Sequence, residues 1–262
     1  MKLQVYQLDA FAGRTFGGNP AVVVCLERWL EDTTLLTIAQ EHNAPTTAFL
    51  REDAGGFEIR YFLPIGELPL VGHASLAAAH VLLRLRHPKL QSAILQRRGG
   101  TLRIATAGER DVAIQLSAAP AAPCAAPAGL REALGVPVES VLVNAAQYFA
   151  VLRSRADVAC VAPEMDALMR LDRDGVVVTA SGDDTCDFVS RAFAPKEGLP
   201  EDPVCGSAHL ALAPYWGERL GKREMRALQL SPRGGALHCT LEVDGIRLAG
   251  SCALFLEGTI TL

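Results

Sequence analysis

The 262-residue sequence has no uninterrupted apolar run near the ~18 residues that a membrane-spanning helix needs, because Arg, Asp, Gly and Pro break every hydrophobic stretch. Nor does it gather Lys and Arg into a stripe: 25 basic against 29 acidic side chains leave a formal charge of -4. Nucleic acid and acidic membrane surfaces are therefore poor candidates for partners. There is no CxxC pair for a zinc ribbon or redox couple, no GxxxxGK or strand-following GxGxxG to cradle nucleotide phosphate, and no GxSxG elbow for a hydrolase triad. The segment after Met1, KLQVYQLDAF, lacks the basic start, apolar core and cleavage site of an export signal and reads as a strand, so a cytoplasmic location is expected. Seven scattered cysteines, an odd number, are expected to be reduced, and all but one inert.

What is present suggests two domains of about 130 residues each. Residues 117–128, SAAPAAPCAAPA, have no periodicity, and their prolines oppose regular pairing. The expected organisation is a first half over 1–117, a linker over 118–128 and a second half over 129–262. Short apolar runs such as AVVVCL, FEIRYFL, GVVVTAS and DFVSRAFA read as strands. Residues 73–85 and 207–215 read as helices with almost no polar face, which must be surrounded by protein, the second disturbed by Pro214. Residues 32–42 and 163–171 read as surface helices with acidic starts.

The halves resemble each other. Arg60-Tyr-Phe-Leu-Pro64 matches Arg191-Ala-Phe-Ala-Pro195 at an offset of 131 (191 minus 60), and Val71-Gly-His-Ala-Ser75 matches Cys205-Gly-Ser-Ala-His209 at an offset of 134 (206 minus 72). The chain therefore reads as two copies of one unit: strand, Pro loop, Gly turn, buried helix. At a helix start the backbone N-H groups lack partners and carry partial positive charge, and glycine lets a ligand approach closely. The turns Gly72-His73-Ala74 and Gly206-Ser207-Ala208 are expected to face one cleft and hold a carboxylate. The plainer alternative is that both glycines simply start core helices.

Ionisable groups gather at these turns: His73 in the first, and Glu201, Asp202, Cys205, Ser207 and His209 in the second. A cysteine just before a helix becomes a thiolate readily, so Cys205 is the candidate proton shuttle or nucleophile; alternatively it fills space as a small hydrophobe. Asp202 is a candidate proton acceptor or ammonium ligand, or a favourable charge near the helix start. Ser207 is a candidate N-cap with capacity for a ligand. His73, His80 and His87, seven apart, lie ~10.5 Å from one another on a helix and cannot share one metal ion. No metal site is expected.

Four blocks in order, DAFAGRTFGGNPAVVV (residues 9–24), EHNAPTTAFL (41–50), RYFLPIGELPLVGHASLAAAH (60–80) and DFVSRAFAPKEGLPEDPVCGSAH (187–209), make the chain resemble the phenazine-biosynthesis PhzF-like proteins over essentially its full length. The resemblance implies the α/β (α+β) fold of diaminopimelate epimerase: two similar domains, each a curved mixed sheet wrapped around a central helix. It implies a cofactor-free enzyme, commonly a homodimer, that moves a proton on a small carboxylate-bearing substrate held between the domains. In phenazine biosynthesis that substrate is a dihydro-hydroxyanthranilate. Asn19, Gly72, Ala74, Gly206, Ser207 and Ala208 are the substrate-binding candidates, and Cys205, His73, Asp202 and Thr46 the catalytic ones.

One departure stands out. The family's proton-transferring glutamate lies in N-x-x-E-T-x-F, and here Asn43-Ala-Pro-Thr-Thr-Ala-Phe49 puts Thr46 in its place. A hydroxyl cannot take a carboxylate's part in acid/base exchange near neutral pH. The fold's epimerases carry a cysteine at each Gly turn; this chain resembles them at Cys205-Gly206 but has Val71 before Gly72, which disfavours a two-thiol racemase. The expectation is a one-sided site, with Cys205 as acid/base assisted by His73 and Asp202. The alternative is a non-catalytic small-molecule binding or interaction protein on the same fold.

Overall fold

The computed structural model describes residues Met1–Leu262 and divides them into two compact units, Met1–Leu116 with Arg247–Leu262, and Ser117–Ile246. The expected second half over 129–262 is corrected at its end. Strand Cys252–Thr261 pairs antiparallel with Lys2–Ala10 along its length, from Lys2↔Thr261 to Ala10↔Cys252, so the C-terminal segment belongs to the first unit.

In the first unit Lys2–Ala10 pairs antiparallel with Asn19–Leu26, which pairs parallel with Thr47–Asp53. Thr47–Asp53 is antiparallel to Gly56–Leu63, which pairs parallel with Ser92–Arg97, and Gly100–Ala107 and Asp111–Leu116 follow as an antiparallel meander. The second unit repeats the sequence of directions. Ser140–Val143 and Gln147–Val151 are antiparallel, Gly175–Asp183 joins in parallel, Cys186–Ala194 in antiparallel, Glu224–Gln229 in parallel and Gly235–Glu242 in antiparallel. The internal repeat read from two short sequence matches is thus a repeat of whole topology.

The all-apolar strands follow from burial on both faces. In AVVVCL, Val22 and Val24 pack outward with Leu35, Ile38 and Phe49 beneath helix Asp32–His42. Ala21 and Val23, on the opposite face, are fully buried in the same unit as helix Gly72–His80. That helix buries every residue from Ala74 to Ala79, so it has no polar face to offer. In the second unit Val176 and Val178 pack with Leu130, Val158 and Leu168 of three short outer helices.

The repeat extends to side chains. Arg60 makes a paired contact with Glu67 (2.8 and 2.9 Å), and Arg191 does the same with Glu201 (2.7 and 2.9 Å). Each guanidinium also lies 5.1 Å from a ring centroid two residues on, Phe62 and Phe193. Glu201, grouped with the ionisable residues of the second turn, is therefore half of a structural brace.

Three local expectations are corrected. Residues 73–85 form an α-helix over Gly72–His80 that continues as a π-helix over Val81–Arg86. The second central helix runs over Gly206–Leu220, straight through Pro214. Proline there removes the N-H that would serve the Leu210 carbonyl, and the Ala119 N-H serves it instead at 3.1 Å. Ala119 belongs to the stretch expected to be an irregular linker. That stretch also holds a short strand, Ala122–Cys124, paired with Ser140–Val143. Pro123 is tolerated because the strand is three residues long and paired on one side. No helix is long and apolar enough to cross a membrane.

Candidate active site

Each unit carries half of the candidate set. In the first, Gly18 is in the left-handed region (φ 58) and a Cβ there would meet the Ala10 carbonyl oxygen at 2.1 Å, so only glycine permits the turn that delivers Asn19. Asn19 starts strand Asn19–Leu26 and is buried, opposite Ala10. Thr46 is buried at the entry to Thr47–Asp53, after helix Asp32–His42 ends on left-handed Asn43, and its carbonyl accepts from the Val22 N-H at 3.0 Å.

Val71 is extended, and helix Gly72–His80 begins without a side-chain cap. Ser75 Oγ donates back to the Val71 carbonyl at 2.7 Å and lies 2.6 Å from the Tyr61 hydroxyl, which fixes the entry to the helix. His73 is half-buried, and its Nε2 is shielded and has no hydrogen-bond partner. Burial pushes its pKa down to about 4, so the imidazole is neutral at pH 7. His80 is pushed down likewise, to about 4, by burial and Arg84. His87 instead pairs with Glu52 at 2.8 Å.

In the second unit, helix Gly206–Leu220 has Cys205 at its N-cap position, not Ser207. Ser207 sits inside the first turn with its Oγ 3.3 Å from Cys205 Sγ. His209, at the position of Ser75 in the repeat, mirrors it: Nδ1 lies 2.8 Å from the Cys205 carbonyl. Asp202 accepts from the Val204 N-H at 3.1 Å. Gln147, the first residue of Gln147–Val151, brings its amide to 4.0 Å from Cys205 Sγ.

The expected thiolate is corrected. Burial, then the Asp202 carboxylate, pushes the Cys205 thiol up to about 12, outweighing hydrogen bonds from Ser207, the Ala208 N-H and Gln147. A helix start lowers a thiol pKa where solvent also reaches the sulfur; here Cys205 is 6% exposed. At neutral pH Cys205 is therefore held as the thiol. All seven cysteines are unpaired with one another, and Cys160 is the exposed one.

Sequence reasoning missed Gln147, Gln229 and Ser231. Gln229 and Ser231 hold the segment between Asp202 and Cys205: the Gln229 amide bonds the Cys205 N-H and the Asp202 carbonyl, and Ser231 Oγ donates to the Pro203 carbonyl. The available signal was a glutamine between leucines in ALQLS, a polar side chain pointing the same way as buried ones.

Two like units, each a mixed sheet around a buried helix opened by a glycine turn, define an epimerase-like fold. A hydroxyproline epimerase from Agrobacterium vitis shares it, with a TM-score of 0.65 over 99% of this chain and 92% of that one at 10% identity, a likeness of fold alone. The chain belongs to the phenazine biosynthesis-like (PhzC-PhzF) family, whose pattern matches residues 8–258. It is 42% identical to an uncharacterized isomerase of Pseudomonas aeruginosa over 100% of both chains. A PhzF-family phenazine biosynthesis protein from Enterococcus faecalis superposes with a TM-score of 0.95 at 37% identity, again over 100% of both.

Proposed function

We propose that this protein is a cofactor-independent isomerase that moves a proton on a small carboxylate-bearing substrate bound between its two halves. The observation that carries the reading is the placement of Cys205 at the N-cap of a buried helix, with Asp202 three residues before it and folded back on the Val204 N-H; burial raises the pKa of the thiol and keeps it in its acid form. A thiol held in its acid form delivers a proton to a carbanion or enolate. The N-H groups at the helix starts, with their partial positive charge, take the carboxylate. His73, kept neutral, accepts the proton that leaves the substrate carbon. The proton lost to His73 is matched by the one given from Cys205, and solvent resets both. The test is deuterium incorporation from D2O into a panel of 2-amino, 2-hydroxy and unsaturated carboxylic acids. Wild type exchanges at least one of them, and the C205A/H73A/D202A variant loses that exchange while retaining its fold. Equal rates in the two proteins would refute the reading.

Thr46 favours a second reading, because a buried hydroxyl stands where the family has its acid/base glutamate. On that reading the protein binds small acids without turnover, and Thr46→Glu creates exchange that the wild type lacks.

A further inference from the structure

Gln229 ends strand Glu224–Gln229 and is 1% exposed. Its Oε1 accepts from the Cys205 N-H at 2.9 Å, and its Nε2 donates to the Asp202 carbonyl at 2.6 Å. One side-chain amide therefore closes both ends of residues 202–205, using its donor and its acceptor at once. Only a group with both functions can do this: a carboxylate lacks the donor, and a thioether lacks both strong bonds. The other unit has no such clamp. Gln229 is paired with Ser190, and the residue in the same register there, Arg97 beside Ile59, reaches the Pro69 carbonyl only at 3.5 Å.

The clamp also decides which helix-start amides remain for a ligand. The Cys205 N-H is taken by Gln229, and the Ala208 N-H is directed to Cys205 Sγ. Those left are Gly206 and Ser207, the first two residues of the helix, whose N-H groups have no partner within it.

We propose that Gln229 is the positioning residue of the second half-site, holding residues 202–205 so that the Asp202 carboxylate is fixed relative to the Cys205 thiol. This rests on the reading of Cys205 and Asp202 as working groups. The test compares Gln229→Glu and Gln229→Met in the full chain by amide hydrogen exchange at Cys205, without substrate, from pH 5 to 8. A buried glutamate has a raised pKa. Protonated at the low end of this range, it donates to the Asp202 carbonyl as the amide did; ionised at the high end, it loses that donor and repels the carbonyl, which springs residues 202–205 open and draws the Cys205 N-H off its acceptor. The Q229E to wild-type ratio of exchange rates is therefore near one at pH 5 and about ten or more at pH 8, whereas Q229M is raised at both. A pH-independent Q229E ratio, or Q229M equal to wild type, overturns the clamp. Deuterium exchange into an accepted carboxylic acid then reads the positioning role: kcat in Q229E falls along the same pH course. An intact clamp signature with unchanged kcat overturns that role, and because the amide measurement needs no substrate, it stands apart from any failure of the isomerase reading.

Discussion

Labelling of Cys205 by a disulfide reagent tests the electrostatics of the site before any substrate is known. With its pKa pushed up to about 12, the thiolate fraction of Cys205 at pH 8 is about 10⁻⁴. An ordinary thiol of pKa ~8.5 is about one quarter ionised there. That is a deficit of about 10³ in reactive species. A more basic thiolate is intrinsically more nucleophilic, and a Brønsted slope of ~0.4–0.5 over about three and a half pKa units returns roughly 30-fold. The net expectation is a rate about 100-fold below that of a free thiol, lowered further because Cys205 is buried. The assay is peptide mass mapping of mixed disulfides over time, with exposed Cys160 as the reference in the same sample. Labelling of Cys205 within tenfold of Cys160 would show that the helix start and its three hydrogen-bond donors outweigh burial, and the acid role assigned here would fail.

Arg191→Ala leaves Glu201, 16% exposed, without its paired donor and frees the Val161 carbonyl, which accepts from the same guanidinium at 2.6 Å. Loss of one partner of a mostly buried ion pair costs about 3 kcal/mol, a fall of roughly 6 to 12 °C in Tm by calorimetry; a fall under 2 °C would discard the brace. The pH dependence of stability follows from the neutral histidines. The folded pKa values of His73 and His209 lie at about 4, below the unfolded value of 6.5, so the unfolded chain binds the protons first as pH drops. Stability is full above about pH 6.5 and declines toward pH 4, and His209→Gln flattens the decline in urea midpoints across that window. A midpoint constant from pH 7 to 4 would contradict imidazoles held neutral in the folded chain.

Much of the fold was legible because the strands are short and buried on both faces, which writes them as near-continuous apolar runs, and because the two helices without a polar face can exist only inside a sheet. The repeat was legible in the Arg-x-Phe and Gly-turn matches, whose spacing reflects the shared brace of Arg60 with Glu67 and Arg191 with Glu201. The return of Cys252–Thr261 to the first unit was not, since a strand's partner at a separation of some 250 residues leaves no local mark. Pro214 misled for a related reason. Its cost depends on whether some distant N-H reaches Leu210, and the donor, Ala119, lies in a segment whose composition gives no hint of the task.

The candidate site was legible as positions and misread as states. Spacing located Cys205 at a helix start correctly, and from that the thiolate followed, because local geometry carries only the attractive half of the electrostatics. The opposing half comes from desolvation and from Asp202, and it depends on how closely the segment between Asp202 and Cys205 is folded back on itself. That fold is imposed by Gln229 and Ser231 from another strand. The same helix start therefore favours a thiolate where its approach segment is open and a thiol where that segment is clamped. In this chain the approach is clamped, so the position at the helix start and the protonation state of the thiol are set by different parts of the sequence.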